Sequence, residues 1–409
     1  MNKKRIFIIA QDDKTFKYGV GTYVKEILEH GKNETAFEIV LVLLASLHKT
    51  VIVEKTNNNT KYFYIPKPVV YDNNQPDILS YSYSKALYVL LNDFFTIGEN
   101  DVFHFNDVTQ YVLLNDIKAY TTAKIIYTIH VSLLKTFYGK NKVLQLQDFS
   151  REEDGEDSIY KRSINTEIQN CELADKVICL SDDMLDDIVN TYKTSMDKVQ
   201  KINNGISPQN LSYAKREIDI LKRKINIRPD DFLLLYVGRI ETNKGVQFLI
   251  ESFNTLLKKG YDRIHLLIVG DGMLKKKLEK DVCGFKDKIT FSGYVAPEDI
   301  YQYYSMADAM VFPSLNEQSS YVMLEAMSFK LPLIVTNITA FNILEDNWSC
   351  LKARVTNNAV DLEELTSKME VFIGDRTLRN RIAERAYSLF LEKYTAKKMF
   401  DQTYSDLFE

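Results

Sequence analysis

The chain is poor in cysteine, in long apolar runs and in clustered metal ligands, and each scarcity excludes something. Four cysteines in 409 residues, Cys171, Cys179, Cys283 and Cys350, are scattered and lack metal-ligand spacing. They read as reduced thiols of a cytoplasmic protein rather than as a disulfide framework or a zinc site. No stretch approaches the roughly 18 apolar residues of a membrane span. Met1-Asn-Lys-Lys-Arg-Ile has the basic opening of a signal peptide, but the apolar run Ile6–Ala10 is too short and Gln11-Asp-Asp follows. Peripheral contact with a membrane, at its inner face, stays compatible with these residues. Neither sign of charge is in large excess: a net charge of −4 and a pI of 5.9 argue against nucleic acid as a partner. Within the acidic run Arg151–Asp157, Asp154 and Asp157 do not make a D-x-D pair, so no metal site is expected.

What is present is globular. With 45% hydrophobic and 26% charged residues the chain can build substantial cores, and at roughly 150 residues per domain its length predicts two or three domains. Arg5–Ala10, Phe37–Ala45, Lys61–Ile65, Asp101–Phe105, Lys124–Ile129 and Lys176–Leu180 are short β-branched or aromatic runs, most of them continuously apolar. Parallel strands covered on both faces read this way. Helical patterns such as Tyr23–Gly31 and Ser84–Phe95 separate them. Phe232–Val237, His265–Val269, Lys288–Phe291, Ala309–Phe312 and Leu333–Thr336 repeat the scheme, with amphipathic segments such as Val246–Lys258 between them. Alternating strands and helices, twice over, predict two doubly wound parallel sheets. The border falls just after Asn204-Gly205, ahead of the basic helix expected over Ser212–Ile225. Residues 132–165 are the least regular part, and residues 57–83 carry Tyr62, Tyr64, Tyr71, Tyr81 and Tyr83, which could stack on a sugar or fill an interface.

The segment 313–327 is the most informative. Pro313 stops the strand Ala309–Phe312, and Ser319-Ser320 offers capping residues before an amphipathic run. A helix starting near Ser320 presents free amides and a dipole worth about half a positive charge, an anion site. Glu325 then lies roughly 7–8 Å along that helix, at about 1.5 Å per residue, near the span from a nucleotide's phosphate to its ribose. Glu317 precedes the cap, where a sugar beyond a diphosphate would lie. An ordinary surface helix with two solvated glutamates is the competing reading.

Other strand ends carry candidate residues. Arg239 and Lys244 flank Gly238 and Gly245 at a strand-to-helix turn, where a guanidinium fork and an ammonium can neutralise a diphosphate without a metal. Gly270-Asp-Gly272 is a common tight turn and reads as structural. Gly293, in Phe291-Ser-Gly-Tyr-Val295, lets a nucleobase approach the main chain beside Tyr294 or Val295, or serves simply as a core turn. Gly19 and Gly21 follow the first strand and leave room for donor phosphates or sugar, although Gly-x-Gly alone is a weak signal. His130 ends the strand Lys124–Ile129, and His104, inside a strand, reads as structural.

Taken in order, these motifs resemble those of the family 4 (group 1) retaining glycosyltransferases. Glu317 and Glu325 with the following Ala-Met are similar to that family's E-x7-E signature, and Val237-Gly238-Arg239 with Lys244-Gly245 to its phosphate-binding element. Asn204-Gly205-Ile206 resembles the interdomain N-G-[VI]-D with Ser207 in place of the acid, and Phe291–Val295 matches F-x-G-x-V. The resemblance spans roughly residues 175–330; the first 170 residues match more loosely, through Gly19-Val-Gly21, Asp101–His104 and Thr128-Ile-His130. It departs at Gln318-Ser-Ser-Tyr321, where the family has G-F-G, and this puts the sugar's identity in doubt more than the activity.

The resemblance implies the GT-B fold: an α/β protein with two Rossmann-like doubly wound parallel-sheet domains facing across a cleft, and a C-terminal helix crossing back to the N-terminal domain. The domains expected are 1–206 on the acceptor side, 207–388 on the nucleotide-sugar donor side, and 389–409 as the returning helix. It further implies a retaining, metal-independent transfer of a sugar from a nucleoside-diphosphate sugar, UDP favoured and GDP next, to a glycan, lipid-linked, peptide or small-molecule hydroxyl. No cofactor is expected. Catalysis would fall to Glu317, His130, Arg239 and Lys244, and donor binding to Gly19, Gly21, Gly238, Arg239, Lys244, Gly293, Tyr294, Val295, Glu317, Ser319, Ser320, Tyr321 and Glu325. The alternatives are a nucleotide-sugar epimerase or hydrolase of the same fold and a non-catalytic nucleotide-sugar-binding subunit; a glycan phosphorylase would need lysine-bound pyridoxal phosphate.

Overall fold

A computed structural model describes the chain except for residues 1–3, 12–18, 33, 56–58, 69–75, 139–155, 210–212, 283, 285–286, 318 and 408–409. It divides into two units, residues 1–205 with 396–409 and residues 206–395.

The first unit holds β1 (Lys4–Gln11), β2 (Phe37–Ser46), β3 (Ile52–Lys55), β4 (Thr60–Pro66), β5 (Asp101–Phe105), β6 (Lys124–Ile129), β7 (Lys176–Cys179) and β8 (Val199–Lys201). They form one sheet in the order β3-β4-β2-β1-β5-β6-β7-β8. Neighbours are parallel except β3, which runs antiparallel to β4. Its helices are α1 (Gly19–Gly31), α2 (Pro76–Phe95), α3 (Tyr111–Tyr120), α4 (Leu133–Tyr138), α5 (Glu156–Leu173) and α6 (Asp182–Asp186). Ile6, Phe7, Ile8 and Ile9 are buried, because helices cover both faces of a central parallel strand. Residues 132–165, expected to be irregular, contain α4 and the start of α5; the acidic residues 151–155, Asp154 among them, lie outside the described residues. Tyr62 and Tyr64 stand on β4, Tyr83 on α2 accepts from the Ala45 amide at 2.9 Å, and Tyr71 is not among the described residues.

The second unit holds β9 (Phe232–Val237), β10 (Ile264–Val269), β11 (Ile289–Gly293), β12 (Ala309–Phe312), β13 (Leu333–Thr336) and β14 (Leu351–Ala353), with a hairpin of β15 (Val355–Thr356) and β16 (Ala359–Val360). Its sheet is parallel throughout, in the order β11-β10-β9-β12-β13-β14. Its helices are α7 (Lys215–Lys224), α8 (Val246–Lys258), α9 (Lys275–Asp281), α10 (Ile300–Met306), α11 (Tyr321–Ser328), α12 (Leu362–Gly374) and α13 (Arg376–Lys393). The strand order runs outward from β9 in one direction and outward from β12 in the other. This reversal marks the topological switch point, and the loops leaving the carboxyl ends of β9 and β12 are where such a sheet takes a ligand.

The expected border at residue 388 falls inside α13, which belongs to the second unit through Lys393. The segment that returns starts at Ala396, as α14 (Ala396–Tyr404). It packs on α1, where Gly31 is tightly enclosed: a Cβ there would overlap Ile39 and approach Phe400 at 3.2 Å. Buried polar contacts fix its end. Tyr404 Oη lies 2.7 Å from His104 Nδ1, and His104 Nε2 lies 2.7 Å from Thr128 Oγ1. The Lys176 ammonium donates to the Gln402 and Thr403 carbonyls and to Asp406, satisfying acceptors that a helix end leaves open. Among the described residues no helix is long and apolar enough to cross a membrane.

Candidate active site

The site is built on the switch point of the second sheet. Where β9 ends, Gly238 (φ 152°) turns the chain, and the Tyr236 hydroxyl donates to the Arg239 carbonyl at 2.7 Å. The Gly270-Asp-Gly272 turn supports this loop from below. A Cβ at Gly270 would overlap the Gly238 carbonyl, and the Ile240 amide donates to the Asp271 carbonyl at 2.9 Å. The turn is structural in that sense: it shapes the loop that carries Arg239. A single 3-10 turn, Thr242–Lys244, then leads into α8 through Gly245. Gly245 is left-handed (φ 67°), and a Cβ would overlap the Pro313 carbonyl, so two things at once require glycine.

That close approach brings the β12 loop against the β9 loop. The Leu315 amide donates to the Asn243 carbonyl at 2.9 Å, and Thr336 Oγ1 donates to the Ser314 carbonyl at 2.6 Å. Held between them, Lys244 Nζ lies 2.6 Å from Glu317 Oε1, and Ser314 Oγ lies 3.3 Å from the same oxygen. Both charged side chains are largely buried, at 14% and 15% exposure. The sequence assigned Lys244 to phosphate and Glu317 to sugar as separate contacts; the fold joins them in one ion pair. Arg239, by contrast, is 62% exposed and pairs with Glu241 at 2.9 Å.

Ser320 caps α11: its hydroxyl accepts from the Met323 amide at 3.2 Å, as the spacing predicts. The first amides of any helix lack intrahelical partners, so the dipole end of α11 follows Glu317 by only a few residues. Ser319 and Tyr321 flank the cap; Gln318 lies outside the described residues. Glu325, one turn into α11, accepts from the Tyr304 hydroxyl at 2.5 Å. Burial and the Glu325 carboxylate together raise the Tyr304 pKa far above a tyrosine's usual value, so it stays a donor. This residue had no signal in the sequence, since it reaches Glu325 from α10. Gly293, at the end of β11, is left-handed (φ 77°) and buried, and Tyr294 beside it is 74% exposed. Val295 is half-buried.

In the first unit the candidates are differently placed. Gly19 and Gly21 are not in the turn before α1 but in its first turn, because α1 begins four residues earlier than the apolar pattern from Tyr23 indicates. His130 follows β6, with Nε2 2.9 Å from Asn106 Oδ1 and the Tyr23 ring edge-on at 4.8 Å. Burial pushes its pKa down to about 4, so it is a neutral imidazole at neutral pH, donating through Nε2 if the Asn106 carbonyl is the acceptor. Burial likewise takes His104 to about 3. Deeper in the same unit Glu167 accepts from the Tyr192 hydroxyl at 2.6 Å, and burial raises its pKa to about 8.

Two parallel-sheet α/β units of this kind are those of the GT-B fold. Residues 217–389 match the family "Glycosyl transferases group 1". Alpha-D-kanosaminyltransferase of Streptomyces kanamyceticus is 32% identical over 173 residues, 42% of this chain and 44% of that protein. An uncharacterized glycosyltransferase of Methanocaldococcus jannaschii is 32% identical over 170 residues, 40% of this chain and 42% of that one. The match therefore spans less than half the length of these relatives. Among solved structures, sucrose-phosphate synthase from Thermosynechococcus elongatus superposes with a TM-score of 0.74 at 17% identity, covering 99% of each chain. Anabaena HepE in complex with UDP gives 0.71 at 16% identity and 99% of each.

Proposed function

We propose that the chain is a retaining glycosyltransferase that moves a sugar from a nucleoside-diphosphate sugar, UDP favoured and GDP next, to an acceptor hydroxyl without a metal or other cofactor. The Lys244–Glu317 pair carries the reading: a donor whose β-phosphate meets Lys244 brings its sugar hydroxyls to Glu317 within one side chain's reach. The HepE neighbour, which binds UDP and UDP-glucose, supports a UDP sugar by fold analogy. Departure of the nucleoside diphosphate is helped by electrostatic stabilisation of its phosphate charge, from Arg239, Lys244 and the amides of Ser319–Tyr321. The acceptor hydroxyl attacks the oxocarbenium-like anomeric carbon from the same face, and the departing phosphate oxygen takes its proton. Glu317 holds a sugar hydroxyl and forms no covalent bond. Glu325, steadied by Tyr304, holds the ribose hydroxyls, and the base lies along Gly293–Val295. His130 serves as a neutral hydrogen-bonding group toward the donor sugar. The acceptor is a glycan, lipid-linked sugar, peptide or metabolite, and the reaction takes place in the cytoplasm.

The test is a thermal-shift screen of nucleotide sugars followed by product analysis of each hit. Transfer to an added acceptor with retained anomeric configuration is expected. Free sugar or an epimer as the sole product, whatever acceptor is added, would replace transfer by hydrolysis or epimerisation.

A further inference from the structure

Lys275, the first residue of α9, is absent from every motif above, yet its ammonium sits beside Gly293. A Cβ built on Gly293 would lie 3.2 Å from Lys275 Nζ. The Gly270 amide fixes the Gly293 carbonyl at 2.9 Å, so the peptide beside the ammonium is held in place. Its side chain is 21% exposed, and its ion pair with Glu279 is stretched to 4.0 Å, leaving the charge weakly compensated. Lys276 and Lys277, next to it, are exposed. Lysine side chains ordinarily extend into water; this one is folded back beneath a left-handed glycine.

We propose that Lys275 selects the nucleobase, favouring a donor whose base presents a carbonyl oxygen where cytosine and adenine carry an amino group. The inference rests on the donor-site reading and deepens it. An ammonium has three donors and no acceptor, so it pairs with the carbonyl of uracil or guanine and is left facing another donor by cytosine or adenine. An unpaired donor beside a partly buried cation discriminates more strongly than a missing contact, because neither group is then satisfied. Gly293 belongs to the same device: any side chain there would press on the ammonium and on the base together.

The experiment is calorimetric binding of UDP, CDP, GDP and ADP to the full chain. The wild type is expected to hold UDP over CDP, and GDP over ADP, by on the order of tenfold. Lys275→Met should bring both ratios close to one, and Lys275→Arg should preserve them; melting temperatures near wild type show that both variants fold. If the ratios survive in Lys275→Met while Arg239→Ala/Lys244→Ala abolishes binding, the donor site stands and Lys275 does not read the base. If the wild type binds none of the four, the donor-site reading fails and the inference falls with it. Wild-type ratios near one also overturn it.

Discussion

At the strand ends of the second unit the polar groups are charged: Arg239 with Glu241 close to solvent, Lys244 with Glu317 largely buried, and Lys275 beside Gly293. Near the same place in the first sheet, where its order reverses between β1 and β5, the histidines are neutral. His104 and His130 are held well below a histidine's usual pKa by burial, and their partners are Thr128, Asn106 and Tyr404. One topology thus carries two electrostatic designs. Charge placed at a loop can stabilise a leaving phosphate, whereas neutral groups in a dry setting can orient hydroxyls without competing for it. The difference follows from what frames each loop. Gly245 lets the β9 loop approach the Pro313 carbonyl, and Lys244 is thereby set against Glu317. In the first unit α14 covers the sheet with Phe400 and Tyr404, and His104 beneath it is buried and uncharged.

The largest expected effect tests the charged side. Arg239→Ala and Lys244→Ala should each lower kcat/KM by about 10²–10³, like removal of one oxyanion donor. Steady-state kinetics with the intact donor measure this, and near-wild-type values in both variants would remove the clamp.

The neutral side is tested by pH. Glu167 titrates near 8 in the fold against about 4.5 when exposed, so the unfolded chain holds fewer protons than the native state between those values. Its contribution is therefore complete below about pH 4.5 and is lost as pH rises toward 8. Glu167→Gln should abolish that decline, a difference on the order of 4 kcal/mol between pH 5 and 8. The depressed histidines act with the opposite sign, since they cost stability as pH falls below about 6.5. Urea unfolding of both proteins across this range decides it; parallel curves would show that Glu167 is ionised in the native state.

A smaller difference separates the two glutamates. Glu325→Gln and Tyr304→Phe should weaken nucleoside diphosphate binding by about 1–2 kcal/mol, the value of one charge-assisted hydrogen bond. Glu317→Gln should lower kcat yet bind the nucleoside diphosphate as well as the wild type or better, because Lys244 loses its competing carboxylate. Calorimetry on the three variants checks this; loss of diphosphate affinity in Glu317→Gln equal to that in Glu325→Gln would misplace the sugar. The smallest expected effect is none: EDTA should leave transfer unchanged, and activity that collapses with chelator and returns with Mn²⁺ would demand a metal in the mechanism.

The sequence revealed those parts of this comparison that depend on local pattern. Central parallel strands such as Phe232–Val237 and Ala309–Phe312 announce themselves as unbroken apolar runs because both faces are covered, and Ser320 declares its helix by capping chemistry. Strand β3 escaped notice because an edge strand with exposed side chains has no such run, and β8 and β14 are only three residues long. Gly19 and Gly21 were misplaced because glycine argues for a turn, while the fold extends α1 through them. The joining of Lys244 to Glu317 spans 73 positions and that of Tyr304 to Glu325 spans 21 across separate helices, so no local periodicity reports either. Lys275 is the extreme case, since one lysine in a run of three looks like any solvated face.

The return of α14 has a consequence for how the protein is made. His104 and Lys176 find their partners, Tyr404 and the Gln402 and Thr403 carbonyls, only after residues 206–395 have been synthesised. At about 5–20 residues per second, those roughly 190 residues take the ribosome on the order of ten to forty seconds. For that interval Phe37 and Gly31 lack the aromatic cover that Phe400 supplies, although the sheet beneath them is already complete in sequence. Of the two units, the one translated earlier is therefore the last to close, and until it does, the surface that Phe400 covers stays open to a chaperone.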